Sequence, residues 1–285
     1  MGKMGDPLMA QSCFSISEVI TSTANPRIKT IASLSRGSRS RREEVIVIEG
    51  VREISRALDG GFPVRELYVY DAFMNDSECL TVMKRVSECD GRIFSVSDRV
   101  MEKISYRETR AKLLAVADRI PMELETVLDR AFARRPDPVI LVMESPEKPG
   151  NVGAVLRTCD GAGVDGVIVC DPSCDPLSAN GVRSSLGCVF TVPCCVASGA
   201  EAIAALQRRG VRIIATTPAG KVSLWQSNMQ GPTALALGSE KDGLTDQWLS
   251  CAHETLVIPM RGHADSLNLS TSAAIVVFEA MRQRP

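Results

Sequence analysis

Residues 149–157 read Pro-Gly-Asn-Val-Gly-Ala-Val-Leu-Arg and follow the apolar run Val139–Met143, an order that predicts a strand, a turn and a helix. Two later segments have the same character, Ala-Leu-Ala-Leu-Gly-Ser-Glu-Lys-Asp-Gly at 234–243 and Ile-Pro-Met-Arg-Gly-His-Ala-Asp-Ser-Leu-Asn-Leu-Ser at 258–270. Each places small or amide-bearing residues where a strand ends and a helix begins, which exposes backbone N–H and C=O groups to a ligand. The three segments together predict a ligand site in the C-terminal half of the chain.

Apolar runs separated by helical stretches fill this C-terminal half. Because such runs alternate with helices, they indicate an α/β domain with a mostly parallel sheet that is covered on both faces. Ligands of these sheets bind beyond the carboxyl ends of the strands, and the three segments follow the first, fifth and sixth runs. The predicted strands are Val139–Met143, Gly166–Cys170, Val189–Val192, Val211–Thr216, Ala234–Leu237 and Thr255–Ile258.

A smaller α/β unit precedes this half, with helices expected near 51–58, 76–89 and 98–104. Its predicted strands are Val45–Glu49, Glu66–Tyr70, Arg92–Val96 and Lys112–Ala117. A chain of 285 residues favours two domains, and the prolines between 121 and 138 favour a boundary there. We therefore predict a basic, partly disordered arm at 1–42, a first domain at 43–120, a linker at 121–137 and a second domain at 138–285.

The sequence Gly-Ala-Gly-Val-Asp-Gly at 161–166 matches the G-x-G-x-x-G pattern of dinucleotide-binding folds. Its context differs, because it follows a predicted helix and precedes a predicted strand. We interpret Gly161 and Gly163 as the end of that helix.

The net charge of −1 does not indicate a nucleic-acid partner for the chain as a whole. Residues 27–42, in contrast, include several basic residues and no acidic one. Two interpretations of this stretch carry equal weight: a phosphate-binding surface for nucleic acid, or a solvated arm. Aromatic residues make up only 4% of the chain, which argues against recognition of single-stranded RNA mainly by base stacking. The basic residues are Arg27, Lys29, Arg36, Arg39, Arg41 and Arg42.

The ten cysteines form no C-x-x-C pair, and the only histidines are His253 and His263. We therefore expect neither a metal site nor disulfides. No apolar run has the length that a bilayer requires, and no secretory segment opens the sequence. These features favour a cytoplasmic protein without a membrane partner.

The three segments resemble, in order and spacing, the motifs of the SpoU (TrmH-like) family of SPOUT-class RNA 2′-O-ribose methyltransferases, which use S-adenosylmethionine. The N-terminal half is similar to the substrate-binding domain of that family at Ile20-Thr-Ser, Asn25-Pro-Arg-Ile-Lys29 and Ile48-Glu-Gly-Val-Arg-Glu-Ile54. The resemblance spans roughly 20–282. The matching motif residues are Asn151, Gly153, Arg157, Gly238, Ser239, Glu240, Gly243, Ser266, Leu267, Asn268 and Ser270.

This resemblance implies a C-terminal domain tied in a deep trefoil knot, a small L30e-like N-terminal domain that binds RNA, and homodimers formed through the C-terminal domain. It also implies S-adenosylmethionine as the cofactor. Ribosomal RNA of the 23S type is the favoured substrate, and tRNA stays open. The stretch Arg183-Ser-Ser-Leu-Gly187 departs mildly from the family's Ala-Ser-x-Gly pattern, and this departure bears on the choice of RNA.

Site roles follow from the same resemblance. A guanidinium is a poor proton acceptor at neutral pH, so for Arg157 we favour phosphate positioning and electrostatic stabilisation over action as a base. The basic residues at 27–42 are the candidates for binding RNA. The implied catalytic residues are Arg157, Asn151, Glu240, Asn268 and Ser270, and the implied cofactor-binding residues are Thr217, Leu237, Gly238, Ile258, Ser266 and Leu267.

A rival interpretation keeps the knotted fold without turnover, as a catalytically inactive RNA-binding or ribosome-assembly protein. The intact Arg157, Asn268 and Glu240 count against it. Cofactor binding combined with a methyl-transfer assay distinguishes the two.

Overall fold

A computed structural model describes residues 14–36, 44–106 and 111–284. The first of its two sheets has five strands in the order β1-β4-β3-β5-β2. Strands β1, β4 and β3 run parallel, and β5 is antiparallel to both β3 and β2. These strands are β1 Ile16–Ile20, β2 Val45–Glu49, β3 Val64–Tyr70, β4 Arg92–Val96 and β5 Leu113–Asp118.

Four helices cover this sheet: α1 Pro26–Arg36, α2 Val51–Asp59, α3 Ser77–Glu88 and α4 Asp98–Ile104. Helices α1 and α4 bury Ile28 and Met101 against one face of the sheet, and α2 and α3 bury Ile54 and Met83 against the other. Both helix pairs therefore place an apolar stripe on the sheet, as the periodicity of their sequences requires.

The predicted arm at 1–42 is wrong for residues 16–36. Strand β1 pairs with β4, with Ile20 opposite Val96, and α1 buries Ile28 and Ile31 in the first domain. Only Ile20 is buried in β1, so this edge strand lacks the alternation that would have revealed it. Residues 1–13 and 37–43 lie outside the described part of the chain.

The predicted linker at 121–137 is also partly wrong, because it contains helix α5, Leu124–Arg134. Val127, Leu128 and Ala131 of α5 are fully buried in the core of the second domain. This helix is therefore part of the layer that covers the second sheet.

The second sheet has seven strands, all parallel, in the order β10-β12-β9-β11-β6-β7-β8. The parallel sheet predicted from the apolar runs is confirmed. These strands are β6 Val139–Glu144, β7 Gly166–Cys170, β8 Cys194–Ala197, β9 Arg212–Thr216, β10 Val222–Ser223, β11 Thr233–Leu237 and β12 Glu254–Val257.

The remaining helices are α6 Pro149–Ala162, α7 Ala179–Ser184, α8 Gly199–Arg208, α9 Asp246–Cys251 and α10 Leu269–Arg282. Helices α6 and α10 pack together on one face of the sheet, and α5, α8 and α9 cover the other face. Helix α6 ends at Ala162, and the residue after it, Gly163, has a φ of +72°, so the helix end predicted at Gly163 is confirmed. Gly161 instead lies within the last turn of α6.

The strand predicted at Val189–Val192 is wrong. Residues 188–190 form a 3-10 turn, and β8 begins later, at Cys194. The run is apolar because it packs against the first domain, where the rings of Phe62 and Phe190 lie 4.8 Å apart, edge to face. An apolar core is therefore continuous between the two domains.

Six of the described cysteines are buried. All nine that the structure describes are free thiols, and burial raises the pKa of Cys79 to about 11 and that of Cys195 to about 12. Within the described residues, no group of three or more His, Cys, Asp or Glu is placed to hold a metal ion. None of the described helices has both the length and the apolar character to span a membrane.

Candidate functional site

The carboxyl ends of β9, β12 and β11 lie side by side at one end of the second sheet. Thr216 of β9 pairs with Leu237 on one side and with Leu256 on the other, so the next residues along each strand share that end. Neighbouring strands are about 4.8 Å apart, which places Thr217 and Gly238 in adjacent rows. The fourth, fifth and sixth predicted strands therefore meet where the sequence placed the ligand site, and the first, β6, lies on the other side of β11.

Gly238 opens a tight turn just beyond β11. The amide of Ser239 donates to the carbonyl of Gly243 at 3.1 Å, and the amide of Gly243 donates back at 3.2 Å. A Cβ added at Gly238 would overlap the backbone of Gly243 and Leu244. Gly243 itself has a φ of +70°, so both glycines are required by the geometry of the turn.

Glu144 anchors the end of this turn to β6, a role that the sequence interpretation missed. Its buried carboxylate at the end of β6 accepts from the amide of Thr245 at 2.8 Å and from the hydroxyl of Thr245 at 2.7 Å. An acid at the carboxyl end of an apolar strand was the available signal. The segment from Gly238 to Thr245 is thereby anchored to the sheet at both ends.

Four of the five predicted catalytic residues come together across the three segments. The side-chain amide of Asn151, in the first turn of α6, donates to Glu240 in the turn after β11. Asn268 Nδ2 donates in turn to Asn151 Oδ1 at 3.3 Å. Asn268 also begins α10, and its Oδ1 accepts from the amide of Ser270 at 2.9 Å and from its hydroxyl at 2.7 Å. The network joins α6, the glycine turn and α10.

The second carboxylate oxygen of Glu240 is the open acceptor of this network. Glu240 Oε2 is buried and has no hydrogen-bond partner among the residues that the structure describes. Buried acceptors are nearly always paired, and one left open at a network is where a donor from a ligand fits. This oxygen is therefore a candidate acceptor for a donor from a ligand.

Arg157 stands apart from these four residues. It lies six residues after Asn151 on α6, is exposed, and makes no hydrogen bond or ion pair with any residue in 14–36, 44–106 or 111–284. Its guanidinium is therefore free to meet an external partner. The structure places it on the same helix as Asn151 without bringing the two side chains together.

The predicted cofactor-binding residues divide between strand ends and an open loop. Leu237 is buried at the end of β11, Thr217 donates its amide to the carbonyl of Leu256 at 2.9 Å, and Ile258 follows β12. Ser266 and Leu267 are exposed in the loop before α10. The backbone N–H and C=O groups just beyond the paired residues of these strands suit S-adenosylmethionine. Its adenine needs hydrogen-bond donors and acceptors, and the backbone supplies them whichever side chain a residue carries.

The predicted RNA-binding residues have mixed surroundings. Arg27 pairs with Glu66 and lies over the ring of Phe94 at 4.7 Å, while Lys29 is exposed on α1. Arg36 ends α1. Arg39, Arg41 and Arg42 lie outside the described residues.

The structure is a two-domain α/β protein whose candidate ligand site lies at the carboxyl ends of a parallel sheet. Residues 138–278 match the SpoU rRNA Methylase family, and residues 25–115 match the MRM3-like substrate binding domain. The chain belongs to the SpoU rRNA methylase family.

Two relatives cover most of this chain. It is 32% identical to a 23S rRNA (uridine(2479)-2′-O)-methyltransferase of Streptomyces viridochromogenes, over 87% of this chain and 86% of the relative. It is 30% identical to the 23S rRNA (guanosine-2′-O-)-methyltransferase RlmB of Shewanella oneidensis, over 84% and 97%.

Solved structures agree with this placement. An RNA 2′-O ribose methyltransferase superimposes with a TM-score of 0.77 and 38% identity, over 93% of this chain and 99% of the other. An AdoMet-bound rRNA methyltransferase from Sinorhizobium meliloti gives a TM-score of 0.84 and 26% identity, over 94% and 98%. The predicted family and two-domain α/β fold are confirmed, and the trefoil knot stays a prediction.

Proposed function

We propose that this protein transfers a methyl group from S-adenosylmethionine to the ribose 2′-hydroxyl of a nucleotide in structured RNA, with 23S-type rRNA as the favoured substrate. The observation that carries the proposal is the hydrogen-bonded network of Asn151, Glu240 and Asn268 at the carboxyl edge of the sheet. Relatives named 23S rRNA 2′-O-methyltransferases, matched along nearly their whole length, support the choice of RNA.

S-adenosylmethionine would supply a methyl group on a sulfonium, which is electrophilic without further activation; transfer to the ribose oxygen would leave the thioether S-adenosylhomocysteine and release the hydroxyl proton to water. Backbone groups of Thr217, Leu237, Gly238, Ile258 and Leu267, with Ser266, hold the cofactor at the strand ends in this proposal. Glu240 and the amides of Asn151 and Asn268 position the ribose and its hydroxyl. Alignment of the two reacting groups then supplies much of the rate.

Arg157 binds a phosphate of the RNA and stabilises charge near the reacting hydroxyl. A guanidinium is a poor proton acceptor at neutral pH, so this role asks for no proton transfer to Arg157. The exposure of Arg157 and the absence of any described side chain paired with it support this role.

The first domain binds the RNA, and two copies of the chain pair through the second domain. Three residues of α1 are the described ones that we assign to RNA contacts: Arg27, the exposed Lys29, and Arg36 at the end of the helix. The pairing is supported by Phe278 of α10, a large apolar side chain that is 53% exposed. The cytoplasmic location stays a prediction that cell fractionation checks.

Transfer of tritiated methyl from S-adenosylmethionine to total rRNA and tRNA, followed by mapping of 2′-O-methylated nucleotides, tests the proposal. Calorimetry with the cofactor gives binding separately. We expect binding and transfer for the wild type. Binding without transfer to any RNA would favour the inactive RNA-binding interpretation.

Arg157→Ala tests the site itself. We expect loss of transfer with cofactor affinity within about threefold of wild type, because the arginine acts on the RNA and the transition state. Arg130→Ala, a substitution of the same type at an exposed position of α5, is the control and should keep wild-type turnover. Wild-type turnover in Arg157→Ala would refute the assignment.

A further inference from the structure

Glu49 uses one carboxylate oxygen across the domain boundary and the other within its own domain. It ends β2 in the first domain, and its side chain is 10% exposed. Oε1 accepts from Arg183 Nη1 of α7 at 3.1 Å, and Oε2 accepts from the backbone amide of Tyr106 at 2.6 Å. One carboxylate therefore ties an edge of the RNA-binding domain to a helix of the second domain.

The helix that carries Arg183 lies directly on α6. A Cβ added at Gly153 of α6 would overlap Ser184 Oγ and lie 2.6 Å from the amide nitrogen of Ser185. Ser184 Oγ also lies 3.1 Å from the carbonyl oxygen of Pro149, the first residue of α6, although its shorter bond is to Asn180 at 2.7 Å. The backbones of α6 and α7 are thus in contact with no side chain of Gly153 between them.

Close packing of this kind transmits displacement. Protein interiors have few voids and low compressibility, so a shift of α7 moves the amino end of α6 with it. That end of α6 carries Asn151, and Arg157 follows two turns later. The contacts Glu49 to Arg183, Ser184 to Gly153, and α6 to the catalytic network form one continuous mechanical connection.

We propose that Glu49 and Arg183 are positioning residues, which set the orientation of α6 relative to the RNA-binding domain. With α6 held in this orientation, the ribose of the bound RNA lies next to Asn151 and Arg157. This inference rests on the proposed methyl transfer and adds to it the residues that couple the two domains. Neither residue touches the reacting groups.

Single-turnover methyl transfer tests the pair, with enzyme in excess over the RNA, at concentrations well above the Kd for RNA and with saturating S-adenosylmethionine. We expect Glu49→Gln and Arg183→Met each to lower the transfer rate about tenfold to a hundredfold, the loss that an ångström-scale misplacement causes. Because the two residues act as a unit, the double variant should be no slower than the slower single variant. Arg183→Lys, which keeps the charge, should recover part of the rate.

Three further readouts separate positioning from loss of folding or loss of RNA binding. Cofactor affinity by calorimetry and RNA affinity should stay within about threefold of wild type, so that the effect falls on kcat and not on KM. Amide hydrogen exchange at the start of α6 should quicken in both single variants. The far-ultraviolet circular dichroism spectrum checks that the variants are folded.

Arg119→Met is the matched control. Arg119 pairs with Asp175 across the same domain boundary through two bonds of 2.6 and 3.3 Å, and the two side chains are as buried as those of Glu49 and Arg183. That pair reaches the second domain in the loop before α7, and neither side chain belongs to α6 or to α7. We expect this variant to lose thermal stability and to keep a transfer rate within about threefold of wild type.

Two results would overturn the inference: unchanged rates in Glu49→Gln and Arg183→Met, or an equal loss of rate in Arg119→Met. Failure of the proposed function looks different, because the wild type itself would then transfer no methyl group to any RNA.

Discussion

At the scale of one residue, the fold and the candidate site both require that Gly238 has no side chain. An added Cβ would overlap the backbone of Gly243 and Leu244, which no side-chain rotation relieves. We predict that Gly238→Ala lowers the free energy of unfolding by about 1–3 kcal/mol, the usual cost of overpacking, and abolishes cofactor binding. Urea unfolding and calorimetry with S-adenosylmethionine measure the two effects.

Gly150→Ala is the control for that substitution. Gly150 lies in the first turn of α6, and a Cβ added there meets nothing within 4 Å. Alanine in a helix should leave stability unchanged or raise it by up to about 1 kcal/mol. A Gly238→Ala protein as stable as wild type would contradict the close approach of the turn.

The site network shows what one sequence can and cannot predict about residues. Asn151, Glu240, Asn268 and Ser270 were predicted from resemblance, and the structure brings them together. No local pattern could supply this, because Asn151 lies 89 residues from Glu240 and 117 from Asn268 along the chain. Their roles in catalysis stay predictions.

At the scale of elements, hydrophobic periodicity predicted strands and helices correctly where a segment packs within its own domain. The run at 189–192 failed because its apolar residues serve the domain interface, where Phe190 meets Phe62. Strand β10 has two residues and leaves no signal. A hydrophobic pattern indicates that a segment is buried, but it does not indicate which part of the protein the segment packs against.

Helix α3 begins with a charged cap that makes its stability depend on pH. Asp76 accepts from the amides of Glu78 and Cys79, each at 3.1 Å, and pairs with Lys112 at 2.8 Å. The hydrogen bond from Lys112 and then that from Cys79 lower the pKa of Asp76 from 3.8 to about 2. A carboxyl whose pKa is lowered on folding stabilises the folded state above its unfolded pKa, and that contribution is lost as the pH falls.

We therefore predict that Asp76→Asn lowers the urea midpoint at pH 6, and that the difference from wild type shrinks as the pH falls from about 4 toward 2. Lys112→Met, which removes the stronger partner, should also reduce the pH dependence. Equal midpoint differences at pH 6 and pH 3 would show that the charge of Asp76 contributes nothing.

At the scale of the molecule, the first and second domains are joined by a shared apolar core and by two partly buried ion pairs. Such a boundary restricts relative motion of the domains. The division into two domains followed from length and composition. The way they dock did not, because it depends on pairs such as Glu49 with Arg183, 134 residues apart.

The remaining prediction concerns assembly. Phe278 is 53% exposed on α10, whose opposite side buries Val276 and Val277 against the sheet and α6. A large apolar side chain in water on a helix next to the candidate site is the kind of surface that a second copy covers. We expect the wild type to sediment as a dimer at micromolar concentration and Phe278→Glu to shift it toward monomer, since the interface would then bury an unpaired charge. Trp225→Gln, at an aromatic side chain that is 62% exposed on another element, is the control and should leave the dimer intact. A wild-type monomer, or a Phe278→Glu protein that stays dimeric, would contradict pairing through α10.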